Sequence, residues 1–355
     1  MFDPSVTGGW PVIGHERAVQ MLRRSIRRGQ VGHAYLIAGP PGTGKRTLAI
    51  AFALALNCES VPESGEGAGE PCELCSQCSR IRRGTHPDVV YIDLETQAAA
   101  QSQASGKKSV PPKEIRIETI REMQAGMSLH PYSARKKVYI IGDAERMNDE
   151  AANCLLKSLE EPPSHSILIL LASDERAVLP TISSRCIYVP LRSLPRERIA
   201  AHLHSTSGVD LDRAGLLAAL SGGRIGTALT MVGESRALES RAEALRELVL
   251  LRGATITSRL DTSARLAKMF TDARSDLYRL LDTWEGWWRD LLVTTAGARD
   301  LAQNVDQGAA LDSQANRLDP VSALEAVSLV QRTRRQLQEN VNPRLALEAL
   351  TLGLP

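Results

Sequence analysis

The chain has 355 residues, a formal net charge of +2 and a hydrophobic fraction of 43%. That length exceeds one small core and predicts about two or three domains, while the near-neutral charge confines any nucleic-acid contact to a local patch or to partners. Met1-Phe2-Asp3-Pro4 does not open a basic region followed by an apolar stretch. No segment approaches the roughly 20 apolar residues of a membrane span, so the expectation is a soluble, cytoplasmic protein without a membrane partner.

The first predicted element is a buried strand, Ala34-Tyr35-Leu36-Ile37-Ala38, followed by Gly-Pro-Pro-Gly-Thr-Gly-Lys-Arg-Thr at residues 39–47. Helix formers at helical spacing run from Arg46 to Leu56, so Gly39, Gly42 and Gly44 fall at a strand-to-helix turn. This is the pattern of a phosphate-binding loop. Its backbone N–H groups, including that of Thr43, close around phosphates, and Lys45 supplies a charge to them. The hydroxyl that binds Mg²⁺ should follow the lysine directly; Arg46 stands there and Thr47 comes one place late. Weak ATP binding with little use for Mg²⁺ is the expectation.

Four of the six cysteines come next: Cys58, Cys72, Cys75 and Cys78. Closely spaced Cys-x₂-Cys turns aim thiolates at one point and a longer loop brings in the fourth, which predicts a structural Cys₄ zinc site with no open position for catalysis. An iron–sulfur cluster is the alternative that the spacing leaves open. The segment 58–78 carries Glu59, Glu63, Glu66, Glu70 and Glu73 and no Lys or Arg. That acidity argues against a zinc module that grips phosphates, although Arg80, Arg82 and Arg83 follow at once. Cys154 and Cys186 are expected to be ordinary buried thiols.

Further apolar runs at Val89–Asp93, Val138–Ile141, Ile167–Leu171 and Cys186–Val189 alternate with helical stretches, predicting a parallel sheet with crossover helices. The Ala, Gln, Ser and Gly-rich segment from Thr96 to Pro112 reads as a surface loop. After the third strand, Asp143 is placed for a metal, Ala144 replaces the water-orienting carboxylate, and on an extended chain Glu145 would face away. Beyond Leu191, Pro195–His204 and Leu211–Leu220 form a small helical unit ending in Gly222-Gly223. Helical periodicity then dominates, with Asn342-Pro343 starting a last helix over Arg344–Leu352. The predicted division is 1–192, 193–234 and 235–355.

Two strings are specific: Asn153-Cys154-Leu155-Leu156-Lys157-Ser158-Leu159-Glu160-Glu161-Pro162-Pro163, and Leu179-Pro180-Thr181-Ile182-Ser183-Ser184-Arg185-Cys186. With Val12-Ile13-Gly14-His15, the cysteine insertion and a C-terminal region carrying Trp284, Trp287 and Trp288, they resemble the AAA+ clamp-loader subunits of bacterial DNA polymerase III over nearly the whole chain. The resemblance implies an α/β RecA-like AAA+ domain, a small helical lid and an all-helical collar that joins five subunits in a ring. It implies gamma/tau-type and delta-type partner subunits, with the sliding clamp and primer-template DNA engaged through the complex. Arg185 matches the arginine presented to a neighbour's ATP, a role that suits a planar, permanently charged guanidinium. Ser173-Asp174 matches the γ-phosphate sensor, Arg224 is shifted from the place of a lid arginine, and Lys157 reads as structural. The replaced hydroxyl, replaced carboxylate and displaced lid arginine together predict a non-motor subunit whose own ATP turnover is negligible. An active ATPase of the gamma/tau kind and a zinc-dependent DNA-binding protein are the competing readings.

Overall fold

The computed structural model describes residues 9–105, 112, 114–234, 236–339 and 341–355. It divides into two compact units, one of residues up to Arg198 with Arg224–Gly226, the other of Ile199–Gly223 with Thr227–Pro355. None of the helices among the described residues is long and apolar enough to cross a membrane.

Five parallel strands form the sheet of the first unit: β1 (Ala34–Ala38), β2 (Val89–Ile92), β3 (Lys137–Ile141), β4 (Ser166–Ala172) and β5 (Ile187–Pro190), in the spatial order β2-β3-β4-β1-β5. β1 lies between β4 and β5, with Ala34 opposite Leu168 and Tyr35 opposite Ile187. All five β1 residues are buried because helices cover both faces, which is why the strand reads as an unbroken apolar run. Tyr35 and Ile37 pack into one core with Leu22, Ile26, Leu48 and Phe52, carried by α1 (Glu16–Arg27) and α2 (Lys45–Asn57). Ala34, Leu36 and Ala38 face the other core. There they meet Ile120 and Met123 of α5 (Ile117–Ser128) and Leu155 of α6 (Asp149–Glu160).

Two short elements complete the first unit where the sequence is most specific: α3 (Ser76–Arg82) inside the cysteine region and α7 (Pro180–Ser183) before β5. Much of the segment predicted as a surface loop, Thr96–Pro112, is instead helical. Helix α4 spans Leu94–Ser105, while residues 106–111 and 113 lie outside the described ones. Asp93 starts α4 by a reciprocal cap: its carboxylate accepts from the Thr96 N–H at 2.7 Å and its own N–H donates to Thr96 Oγ1 at 2.8 Å. Ala and Gln are strong helix formers, so once capped the low-complexity run winds up.

The second unit contains α9 (Leu211–Leu220), α11 (Ala237–Arg252), α12 (Ile256–Asp272), α13 (Arg274–Thr295), α14 (Gly308–Ala315), α15 (Pro320–Gln338) and α16 (Pro343–Gly353). Helices α8 (Arg196–Ser207) and α10 (Ile225–Gly233) begin in the first unit and end in the second. Trp284, Trp287 and Trp288 on α13 are buried in one core with Leu248, Leu281, Val330 and Leu347. The indole N–H of Trp284 donates to the Ala244 carbonyl at 2.9 Å, giving that large side chain both burial and a polar partner.

Asp290, also on α13, is fully buried. It accepts from the Gln303 and Asn304 backbone N–H groups at 2.8 and 2.7 Å and from Asn304 Nδ2 at 2.6 Å, and pairs with Arg289. Removing it would strand several donors without water. Asp290→Ala is therefore expected to destabilise the second unit by about 3 kcal/mol. Urea unfolding followed by tryptophan fluorescence checks this, since three of the chain's four tryptophans lie on α13.

Candidate functional site

The phosphate-binding loop leaves the carboxyl end of β1 and enters α2, as its sequence predicts. Gly39 is required there by close approach: a Cβ would collide with the Leu191 carbonyl oxygen, because Leu191 N donates to Ala38 O at 2.7 Å. Gly44 caps α2 in the left-handed region at φ 97°, which only glycine adopts at little cost. Thr43 is buried and its hydroxyl donates to the Pro40 carbonyl at 2.8 Å. Two groups hold the loop from outside. The buried His15 ring Nε2 lies 2.9 Å from Thr43 O, and Gly226 N donates to Gly42 O at 2.8 Å. Burial lowers the His15 pKa, so the ring is neutral at pH 7 and can donate through Nε2.

Lys45 folds back on the loop, donating from Nζ to Gly39 O at 2.6 Å and Pro40 O at 3.2 Å. Its pKa is lowered by burial, against the opposing pull of the Glu145 and Asp143 carboxylates. Arg46 turns toward β2, its guanidinium 4.0 Å from the centroid of the Tyr91 ring. Burial pushes the Tyr91 hydroxyl up to about 12. Thr47 sits half-buried one residue further into α2.

Glu145 departs from the sequence expectation. Alternation along an extended strand would turn it away, but β3 ends at Ile141 and Asp143 is left-handed at φ 51°, ψ 46°. Residues Ala144–Arg146 then wind into a 3₁₀ turn. Glu145 Oε1 accepts from Ser173 N at 3.1 Å, and its Oε2 is buried without a hydrogen-bond partner. The signal that could have shown this was Gly142-Asp143, a pair suited to leaving a strand. Burial, and then the neighbouring Glu145, raise the pKa of the Asp143 carboxyl. Asp174, beside Ser173, caps a 3₁₀ turn and pairs with Arg176, the ordinary turn chemistry of that dipeptide. Lys157 is exposed.

Arg185 lies just before β5, which begins at Ile187, in the turn that follows α7. Its N–H bonds to Ile182 O at 3.1 Å. The guanidinium donates to Thr181 O at 2.9 Å and to Glu160 Oε1 at 2.7 Å, so the two specific strings of the sequence meet in this ion pair. The Arg185 side chain is 39% exposed.

The four clustered cysteines come together, their sulfurs all within 4.8 Å of one another. A tetrahedral zinc with bonds of about 2.3 Å would set sulfurs roughly 3.8 Å apart, so a small contraction closes the site. Backbone N–H groups already point at the sulfurs: Cys72 N to Cys58 Sγ at 3.3 Å, Cys75 N to Cys72 Sγ at 3.3 Å and Cys78 N to Cys75 Sγ at 3.5 Å. Such donors stabilise thiolates and orient ligands. Burial alone would raise the Cys72 thiol, but hydrogen bonds from Ser60 and from the Cys75 and Leu74 amides bring it down to about 6. Cys78 is pushed far up by burial and by its neighbouring thiols. Four thiolates so close cannot all ionise without a cation between them, and these residues could hold a metal. Cys58 and Cys78 are buried and Cys72 and Cys75 partly so, and none of the cysteines is in a disulfide.

Three of the five glutamates of the acidic insertion are paired with the domain's own arginines. Glu70 pairs with Arg23 and Arg27 of α1, Glu73 with Arg82, and Glu63 with Arg135. Trp10 Nε1 donates to Gly69 O at 2.8 Å and Gly65 N to Arg27 O at 2.8 Å, fixing the insertion on α1.

Comparison with known proteins places this geometry in a family. Residues 14–195 match the family model described as DNA polymerase III, delta subunit, and residues 239–354 match the model of its C-terminal part. Subunit delta' of DNA polymerase III from Bacillus subtilis is 28% identical over 341 residues, covering 95% of both chains. The Pseudomonas aeruginosa delta' subunit is 35% identical over 220 residues, 61% of this chain and 60% of that one. The Bacillus subtilis tau subunit is 25% identical over 362 residues; the match takes in 97% of this chain but spans only 60% of tau. Among solved structures, a DNA polymerase III gamma subunit-related protein from Thermotoga maritima shares the fold, with a TM-score of 0.50 at 20% identity over 94% of this chain and 97% of that one. With one model covering more than half of the residues and a second covering most of the rest, the chain belongs to the DNA polymerase III delta-subunit family.

Proposed function

We propose that the chain is a non-motor subunit of a bacterial clamp loader, which organises a ring with gamma/tau-type and delta-type subunits and completes a neighbour's ATP site with Arg185. The observation that carries this reading is the exposed guanidinium of Arg185, held on a rigid turn between α7 and the edge strand β5. Glu160 and Thr181 O aim it, and its planar fork suits the equatorial oxygens of a transferring phosphoryl group. In this reading 193–234 is the lid, 235–355 is the collar, and the ring loads the sliding clamp onto primer-template DNA.

The chain's own loop supports the non-motor role. Arg46 stands where a metal-binding hydroxyl belongs and is laid on Tyr91, and the β3 end offers Ala144 in place of a water-orienting carboxylate. Losing metal and water positioning together removes terms worth orders of magnitude in rate. Nucleotide would be held through Lys45, the amides of Gly42 to Gly44 and the start of α2. One observation favours the competing reading of an active ATPase: Glu145 is drawn back beside Ser173 and within the field of Lys45. Cys58, Cys72, Cys75 and Cys78 are proposed to hold one structural zinc, which would tie the insertion and α3 to the end of α2.

Metal analysis of the purified chain should find one zinc per chain, and Co²⁺ titration of the stripped protein should give thiolate absorbance saturating at one equivalent. Cys75→Ser should weaken binding by more than the roughly 10–100-fold that outer-shell changes cost. Iron with visible absorbance in the purified protein would replace zinc by a cluster.

The isolated chain should bind ATP weakly, with little dependence on Mg²⁺, and turn it over negligibly. Steady hydrolysis by pure protein that disappears in Lys45→Ala and in Glu145→Gln would establish the active-ATPase reading instead.

Arg185→Ala should leave the subunit folded and able to join the reconstituted ring, yet lower turnover at the affected site by ~10³-fold or more. Arg185→Lys should rescue little, because a point charge replaces the fork. An alanine variant that assembles and supports unaltered ATP turnover and clamp loading would leave Arg185 as the structural partner of Glu160.

A further inference from the structure

Helix α1 carries two sets of arginines with different fates. Arg23 and Arg27 are bound to Glu70 of the cysteine insertion. Arg17, Arg24 and Arg28 are exposed and, among the described residues, have no carboxylate partner. Their spacings of seven and four residues bring them within about 20° of one line along the helix, spread over roughly 16 Å. Together with Gln20, Met21, Ser25 and Gln30 they border a groove of about 400 Å³, and no acidic residue lines it.

We propose that this stripe is a contact surface for the phosphate backbone of duplex DNA. Three unpaired guanidiniums on a rigid helix call for an anion that the chain itself does not supply. A duplex presents one phosphate charge per about 1.7 Å of its axis over both strands, so a line of roughly 16 Å laid across its backbone passes enough phosphates for each arginine to meet one. An acidic protein partner fits less well, because the only apolar side chain on the stripe is Met21, 37% exposed, and a protein interface needs a larger apolar centre. No aromatic ring is present to stack unpaired bases, which favours duplex over single strand. The contact is sequence-independent, since the arginines are spaced for phosphates and the glutamines are too few to read a site. The insertion contributes indirectly: by neutralising Glu70 on Arg23 and Arg27, α1 keeps that carboxylate from opposing DNA.

The test uses the full chain alone, so it is independent of ring assembly and of Arg185. Fluorescence anisotropy with labelled 20-base-pair duplexes of unrelated sequence should show equal binding to each. Affinity should fall about 40-fold between 50 and 200 mM salt, as a slope of roughly −2.7 for three phosphate contacts requires. The triple variant Arg17→Gln, Arg24→Gln, Arg28→Gln should lose at least tenfold at about 50 mM salt and flatten that dependence. Its tryptophan fluorescence and metal content should match the parent. A control triple, Arg213→Gln, Arg317→Gln, Arg332→Gln, removes the same charge from exposed positions of the second unit and should bind duplex as the parent does. Equal losses in both variants, or none in the stripe variant, would overturn the proposal. Stripe-dependent binding of a labelled poly-glutamate peptide with no binding of duplex would also overturn it, making the surface an acidic-protein site.

Discussion

The arrangement of the first unit depends on where β1 ends. Paired to β4 on one side and β5 on the other, it delivers Ala38 against Pro190, and the next residue has no room for a side chain beside Leu191. From that point the chain must turn, and the turn is the phosphate loop. The surrounding strands end around the same rim: β3 with Asp143 and Glu145, and β4 with Ser173. Loops at the carboxyl ends of parallel strands are where such folds gather chemistry. The register of one buried strand therefore sets the position of Lys45, Glu145 and Ser173 relative to each other.

Supports from beyond the sheet decide the loop's shape. His15 and Gly226 each bond a loop carbonyl, so residues far apart in sequence clamp the same short segment. Arg46 lies on an aromatic ring and Lys45 on the loop's own carbonyls. Replacing Arg46 by serine would restore a hydroxyl but remove the cation that stabilises this face of Tyr91.

Much of the architecture is legible in the chain because short apolar runs separated by helical stretches fit strands of a parallel sheet covered by helices, and β1, β3 and β4 are buried along their whole length. The cysteine cluster was legible for a related reason: three thiols at a spacing of three residues converge in any tight turn, and Cys58 at the end of α2 completes the set. Side-chain pairings across the fold are not legible in this way. Tyr91 under Arg46 and Glu160 against Arg185 involve partners with no local signature. Glu145 was misplaced because strand periodicity was extended past the point where the backbone leaves it. Helix α4 is hard to read because its composition resembles that of a disordered segment, and its start rests on the Asp93–Thr96 cap.

The ion pair between Arg185 and Glu160 governs how freely that guanidinium can move. Exposed pairs of this kind contribute only about 0–1 kcal/mol, so the carboxylate holds the guanidinium in place without competing seriously for it. The pair narrows the rotamers of the guanidinium and partly masks its charge. Arrival of a better acceptor would draw it out at small cost. Glu160 is the last residue of α6, which also carries Lys157, so the carboxylate that holds Arg185 is fixed by a helix packed in the core.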